Sequence, residues 1–299
     1  MKRKMKILIA YDGSELADLA LKDLKRAGLP HGAEALVTSM ADVWMWPEDA
    51  EITITSAIKA REEAKKAVEE ARALALGASK RIQADFPGWE VHSEGCADTP
   101  AWGIIKRADE WKADLVVVGS HGRTALGRFF LGSVSQTVLT HARCSVRVAR
   151  GRAQEDALPV RIMLGVDGSP GAEAAVSEVA ERVWPSGTQV RVVAAINPLM
   201  VPALNWIEEN YKDEREWVNK VVEAAAARLR SAGLAVSTLI KESDPKRLLV
   251  HEAEEWKADC IFAGARGLRA IERLLLGSVS AAVAARAQCS VEVVRRAGK

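Results

Sequence analysis

The chain has 299 residues, room for two ordinary domains of roughly 150 residues each. Its 42 Lys and Arg against 40 Asp and Glu leave a net charge of +2, which argues against a nucleic-acid groove and against a polybasic grip on an anionic membrane. No run of about 20 apolar residues is available to span a bilayer, the apolar stretch of MKRKMKILIAYDGSE stops at Tyr11-Asp12, short of an export signal, and four cysteines without a CxxC spacing read as reduced thiols of a cytoplasmic protein.

Short apolar runs alternate with longer helical patterns from the start of the chain. KILIAY (6–11), EALVTSM (34–40), WEVHSE (89–94), DLVVVGS (114–120) and SVRVA (145–149) are strand candidates, and residues 56–85, rich in Ala, Glu, Lys and Arg, are a helix candidate. After a polar linker, GRAQEDALP (151–159), the series repeats as RIMLGV (161–166), QVRVVAAI (189–196), AVSTLI (235–240), DCIFAGA (259–265) and SVEVV (290–294). Continuous apolar strands alternating with helices predict a parallel sheet covered on both faces, with ligands at the carboxyl ends of its strands.

The second series is a copy of the first. Pro100 and Pro245, EWKAD at 110–114 and 255–259, and Cys144-Ser145-Val146 and Cys289-Ser290-Val291 keep an offset of 145, while ILIAYDGSE and IMLGVDGSP keep one of 155. The expected domains are residues 1–151 and 159–299, the first carrying about ten extra internal residues. Trp111 and Trp256, each before Lys-Ala-Asp, read as core anchors. Trp44 and Trp46 follow the second strand and either flank a ligand or pack their loop.

The densest repeated feature is GSHGRTALGRFFLGSVSQTV (119–138), answered by GARGLRAIERLLLGSVSAAV (264–283). Gly119 and Gly264 lie at a strand's carboxyl end, and Gly132-Ser133 and Gly277-Ser278 open a helix whose first N–H groups favour an anion. Arg123 and Arg128 on the loop, with the hydroxyls of Ser133 and Ser135, can hold a polyphosphate. The plain alternative is a glycine turn and a serine helix cap. Asp12 and Asp167 likewise either touch a ligand or only shape the turn before Gly-Ser.

Gly119-x2-Gly122-x9-Gly132-Ser133 and Gly264-x2-Gly267-x9-Gly277-Ser278 resemble the G-x2-G-x9-G-[ST] nucleotide-binding pattern of the universal stress protein family, and the likeness extends over essentially the whole chain. It implies an α/β fold of two Rossmann-like (adenine nucleotide alpha-hydrolase-like) domains, each a five-stranded parallel sheet of order 3-2-1-4-5 with helices on both faces. It also implies ATP as cofactor, with or without Mg2+. By this resemblance Ala10, Asp12 and Met40 face base and ribose, Val118, Gly119, His121 and Gly122 lie below ribose and phosphates, and Gly132, Ser133, Val134 and Ser135, with Arg128, receive the phosphates. The matching second set is Gly165, Asp167, Ala195, Ala263, Gly264, Arg266, Gly267, Gly277, Ser278, Val279 and Ser280.

Met40 and Ala195 replace the family's usual valine, and Glu272 enters the second phosphate loop where the first has Gly127, so the second site is expected to be the weaker. Arg266 at the place of His121 points to a polar contact there and against proton transfer.

No GxxxxGK[ST] occurs, no GxGxxG follows the first strand, and no acid–base pair recurs at the glycine motifs. The expectation is a nucleotide-dependent stress-response module. The alternatives are a slow ATP hydrolase or phosphoryl or adenylyl transferase, and a scaffold that has lost nucleotide.

Single-copy relatives commonly dimerise through the fifth strand, so the resemblance also implies an intramolecular pseudo-dimer through SVRVA and SVEVV, with a further homodimer open. Arg147 and Glu292 then either meet across a pseudo-dyad or are unrelated solvent-facing charges.

Overall fold

The computed structural model describes residues 3–43, 54–121, 131–151, 159–196, 207–267 and 276–295. The first half runs β1 (Met5–Ala10), α1 (Glu15–Asp23), a short 3-10 helix (Leu24–Arg26), β2 (Ala33–Ala41), α2 (Ile54–Asp85), β3 (Glu90–Ala97), α3 (Pro100–Trp111), β4 (Leu115–Gly119), α4 (Ser133–His141) and β5 (Ser145–Ala149). The second half answers with β6 (Arg161–Gly165), α5 (Pro170–Glu181), β7 (Gln189–Ile196), α6 (Ile207–Ser231), β8 (Ala235–Glu242), α7 (Pro245–Glu255), β9 (Cys260–Gly264), α8 (Ser278–Arg286) and β10 (Ser290–Val294).

All ten strands form one sheet in the order β3-β2-β1-β4-β5-β10-β9-β6-β7-β8. Each half therefore has the order third, second, first, fourth, fifth, and its strands pair in parallel. The halves join where β5 and β10 pair antiparallel, with Val146 opposite Val293, Arg147 opposite Glu292 and Val148 opposite Val291. Both joining strands are buried along their whole length, because helices cover the sheet on both faces.

One core runs through both halves on the α3, α4, α7 and α8 side, through Ile104, Val138, Val146, Leu248, Val283 and Val291. On the other face each half keeps its own core, under α1 and α2 in the first and under α5 and α6 in the second.

The repeated Trp-Lys-Ala-Asp is a structural device. Lys112 and Lys257 adopt left-handed backbone at φ 56° and 54°, ending their helices. Asp114 and Asp259 then accept the backbone N–H of Lys6 and Arg161 at 2.8 and 2.7 Å, setting the start of the neighbouring strand. Trp111 and Trp256 are half-buried against the shared core, and each lies under a cation, Lys6 at 5.1 Å and Arg191 at 4.5 Å.

Candidate nucleotide site

The carboxyl edge of the first half opens into a cavity of about 510 Å³. It gathers Ala10 and Asp12 from the end of β1, Met40 from β2, Val118 and Gly119 from β4, His121 just beyond it, and Val134 and Ser135 from the first turn of α4. These belong to segments more than 100 residues apart, brought to one edge because β1, the neighbour of β2, also pairs with β4. Gly122, Arg128, Glu272, Trp44 and Trp46 lie outside the described residues.

The turn after β1 is built by Gly13 at φ 78°, a conformation that favours glycine, and by the Asp12 carboxylate, which accepts the N–H of Ser14 at 3.0 Å. Asp12 thus shapes the turn and lines the cavity at once. Ser14 accepts the N–H of Ala17 at 3.1 Å and caps α1.

Gly132 stands at the N-cap of α4 with no side-chain cap, so the helix start presents its N–H groups at the cavity's end. At φ −63°, ψ 153° its backbone is open to any residue, and so is that of Gly277 at −72° and 148°. Backbone angle therefore does not require glycine at either place. At Gly277 a side chain would stand 3.2 Å from the carbonyl oxygen of Ala265. The hydroxyls of Ser135 and Ser280 are already committed, donating to the carbonyls of Gly119 and Gly264 at 2.6 and 2.5 Å. They tie the helix start to the strand end.

His121 places Nδ1 3.3 Å from the Ser120 hydroxyl, and its Nε2 is buried without a hydrogen-bond partner. Burial, reinforced by the nearby Arg150, pushes its pKa below the usual 6.5, so the ring is neutral at neutral pH. That suits a hydrogen-bonding contact, in line with the arginine at the matching position.

The cavity has walls that the motifs did not indicate: Tyr11, Thr38, Ser39 and Asp42, the α2 residues Ala67, Glu70, Ala71 and Leu74, and Pro100 and Ile104 of α3. The one local signal for α2 is its stripe of alanines at 67, 71, 75 and 78, of which the last three are buried.

The second half repeats the frame with a tighter edge. Gly168 turns at φ 76°, and Asp167 accepts the N–H of Ser169 at 3.0 Å. The buried Ser169 hydroxyl, however, also donates to the carbonyl of Arg266 at 3.2 Å, and a side chain at Gly267 would meet the Asp167 carboxylate at 2.5 Å. Gly171, where the first half has Leu16, lets this loop descend: a side chain there would collide with the Arg266 carbonyl. Gly264 stands against the backbone of Gly171 more closely than Gly119 stands against Leu16, where a side chain would still find 3.0 Å.

Gly165, Ala195 and Ala263 occupy the strand ends, and Gly277, Ser278, Val279 and Ser280 the start of α8. The second half exchanges the sizes of this strand–helix pair. Met40 packs its sulfur over Gly103, where a side chain would stand 2.9 Å from it, whereas Ala195 and the buried Leu248 hold the matching positions.

Residues 4–150 and 160–295 each match the Universal stress protein family. The chain therefore belongs to the universal stress protein family. It is 30% identical over 297 residues to a universal stress protein of Mycolicibacterium smegmatis, spanning 97% of this chain and 96% of that one. To universal stress protein Rv2005c of Mycobacterium tuberculosis it is 27% identical over 299 residues, spanning 97% of each. The crystal structure of a universal stress protein from Archaeoglobus fulgidus superposes with a TM-score of 0.61 at 21% identity over 97% of this chain and 96% of that one, a likeness of fold. Among the described residues, no helix is long and apolar enough to cross a membrane.

Proposed function

We propose that this tandem universal stress protein binds ATP and acts as a nucleotide-dependent stress-response module, with its tighter site in the first half. The observation that carries the reading is the first-half cavity, of a size that suits a nucleotide, with its apolar base side under Met40, Ile104 and Val118 and its far end at the uncapped start of α4. The residues fit the ligand. Triphosphate oxygens would match the α4 N–H groups, Asp12 lines the cavity and can accept from ribose hydroxyls or help hold a phosphate-bound Mg2+, and His121 brings an unpartnered Nε2 to the same cavity. The tighter second edge, held by Ser169 and Arg266, supports weaker binding there. We also propose that the β5–β10 pairing makes the chain an internal dimer, its two sites fixed in one sheet.

Calorimetric titration of nucleotide-free protein with ATP tests this. Wild type should bind up to two ATP, Gly132→Val should lose the first-half site and Gly277→Val the second. No binding by wild type, or two full sites in either variant, rejects the assignment. Phosphate release measured alongside separates binding from turnover.

A further inference from the structure

We propose that the Thr38 hydroxyl reads the polar edge of the nucleobase in the first-half cleft and has no equivalent in the second, so the two halves differ in base recognition. This rests on the nucleotide reading above.

Thr38 is only 1% exposed, and its Oγ1 is buried without a hydrogen-bond partner. It lines the cavity beside Ile104 and Val118. On β2 it shares a face with Leu36 and Met40 and lies opposite Ala10 in the register, which puts it on the base side, away from the start of α4. Its carbonyl is spent on the N–H of Tyr11 at 2.9 Å, which leaves the hydroxyl as the polar group of Thr38 without a partner. A hydroxyl in an apolar wall without a partner is costly unless a ligand answers it, and such isolated polar groups fix ligand orientation.

The second half supplies an isosteric comparison. Val193 holds the matching position: it lies opposite Gly165 in the register, its carbonyl accepts the N–H of Val166 at 3.0 Å, and it is 1% exposed. The backbone is the same in both halves, and a methyl replaces the hydroxyl. The difference is therefore confined to what the side chain can offer a ligand.

The test titrates nucleotide-free full-length protein with ATP and, separately, with inorganic tripolyphosphate, for wild type, Thr38→Val and Thr38→Ser, each with and without Gly277→Val to silence the second half. Thr38→Val should weaken ATP at the first-half site about tenfold, the loss of one hydrogen bond, and leave tripolyphosphate unchanged. Its thermal midpoint without ligand should stay level or rise, because a buried hydroxyl lacking a partner has been removed. Thr38→Ser should bind ATP within about twofold of wild type.

Unchanged ATP affinity in Thr38→Val overturns the proposal and leaves the hydroxyl to a bound water. Equal weakening of ATP and tripolyphosphate with a lower midpoint also overturns it, by showing a structural role. Failure of wild type to bind ATP rejects the nucleotide reading itself, a result distinct from either.

Discussion

Arg147 and Glu292 meet at 3.1 Å across the β5–β10 seam, at matching positions of the two copies, with side chains 1% and 0% exposed. Arg147 also reaches Asp23 at 2.6 Å, and Glu292 is held by Arg182, so the charges form one buried network. Like copies paired through this register would set arginine against arginine or glutamate against glutamate, so the network selects the mixed pairing. Glu292→Gln should cost about 1–3 kcal/mol, because it removes the buried carboxylate shared by two buried cations, which still keep Asp23 and Glu178. The pair Arg147→Met with Glu292→Leu should cost less than the two single changes added together. Urea denaturation of the cycle measures this, and strict additivity would show that the two residues do not depend on each other.

The duplication, the strand runs and the glycine spacing were legible because they are local or repetitive: buried parallel strands write themselves as unbroken apolar runs. The cleft walls were not, since Ala71 and Ile104 look like any helix core residue until tertiary packing brings them to the same edge. Thr38 lay hidden inside a strand run, where a β-branched residue is what the pleated surface favours. Ser135 and Ser280 looked like phosphate donors because their spacing is right, but the direction of a hydroxyl is settled by the nearest carbonyl. Whether Arg147 and Glu292 met or faced solvent depended on helices covering both sides of the seam, which no single strand records.

The unequal clearance at the two β4-like strand ends predicts unequal tolerance. A side chain at Gly264 would overlap the backbone of Gly171, which cannot rotate away, whereas at Gly119 it would stand 3.0 Å from the backbone of Leu16. Gly264→Ala should therefore destabilise by about 2–3 kcal/mol and Gly119→Ala by about 1. The order of the urea midpoints decides; equal losses would contradict the closer second edge.

Arg150 and Arg295 cross the seam reciprocally. Arg295 donates to the carbonyls of Leu139 and Thr140 in the last turn of α4 and of Cys144 just beyond it, and Arg150 donates to that of Ala287 at the end of α8 at 2.8 Å. Each cation meets the negative end of the other half's helix, α4 or α8. Burial lowers the pKa of Arg295 to about 10, a desolvation cost that offsets part of the gain. Arg295→Met should still cost about 1–3 kcal/mol, because it leaves several carbonyls short of a donor. Arg295→Lys should recover little, lacking the fork that spans them. Full recovery by lysine would mean that charge alone matters.

His121 supplies a pH dependence with a defined sign. The unfolded chain takes up its proton near 6.5, while the folded ring resists it, first through burial and then through Arg150. Stability from this group is thus intact above about pH 6.5 and is lost as pH falls below it toward the depressed folded value. Wild type should lose more of its urea midpoint between pH 7.5 and 5.5 than His121→Asn does. Bound ATP should reverse the bias, because phosphate charge favours the imidazolium and raises the pKa. Titration with ATP near pH 6, in buffers of different ionisation enthalpy, should then register proton uptake that His121→Asn lacks. If wild type and variant take up the same number of protons, the phosphates do not lie beside His121.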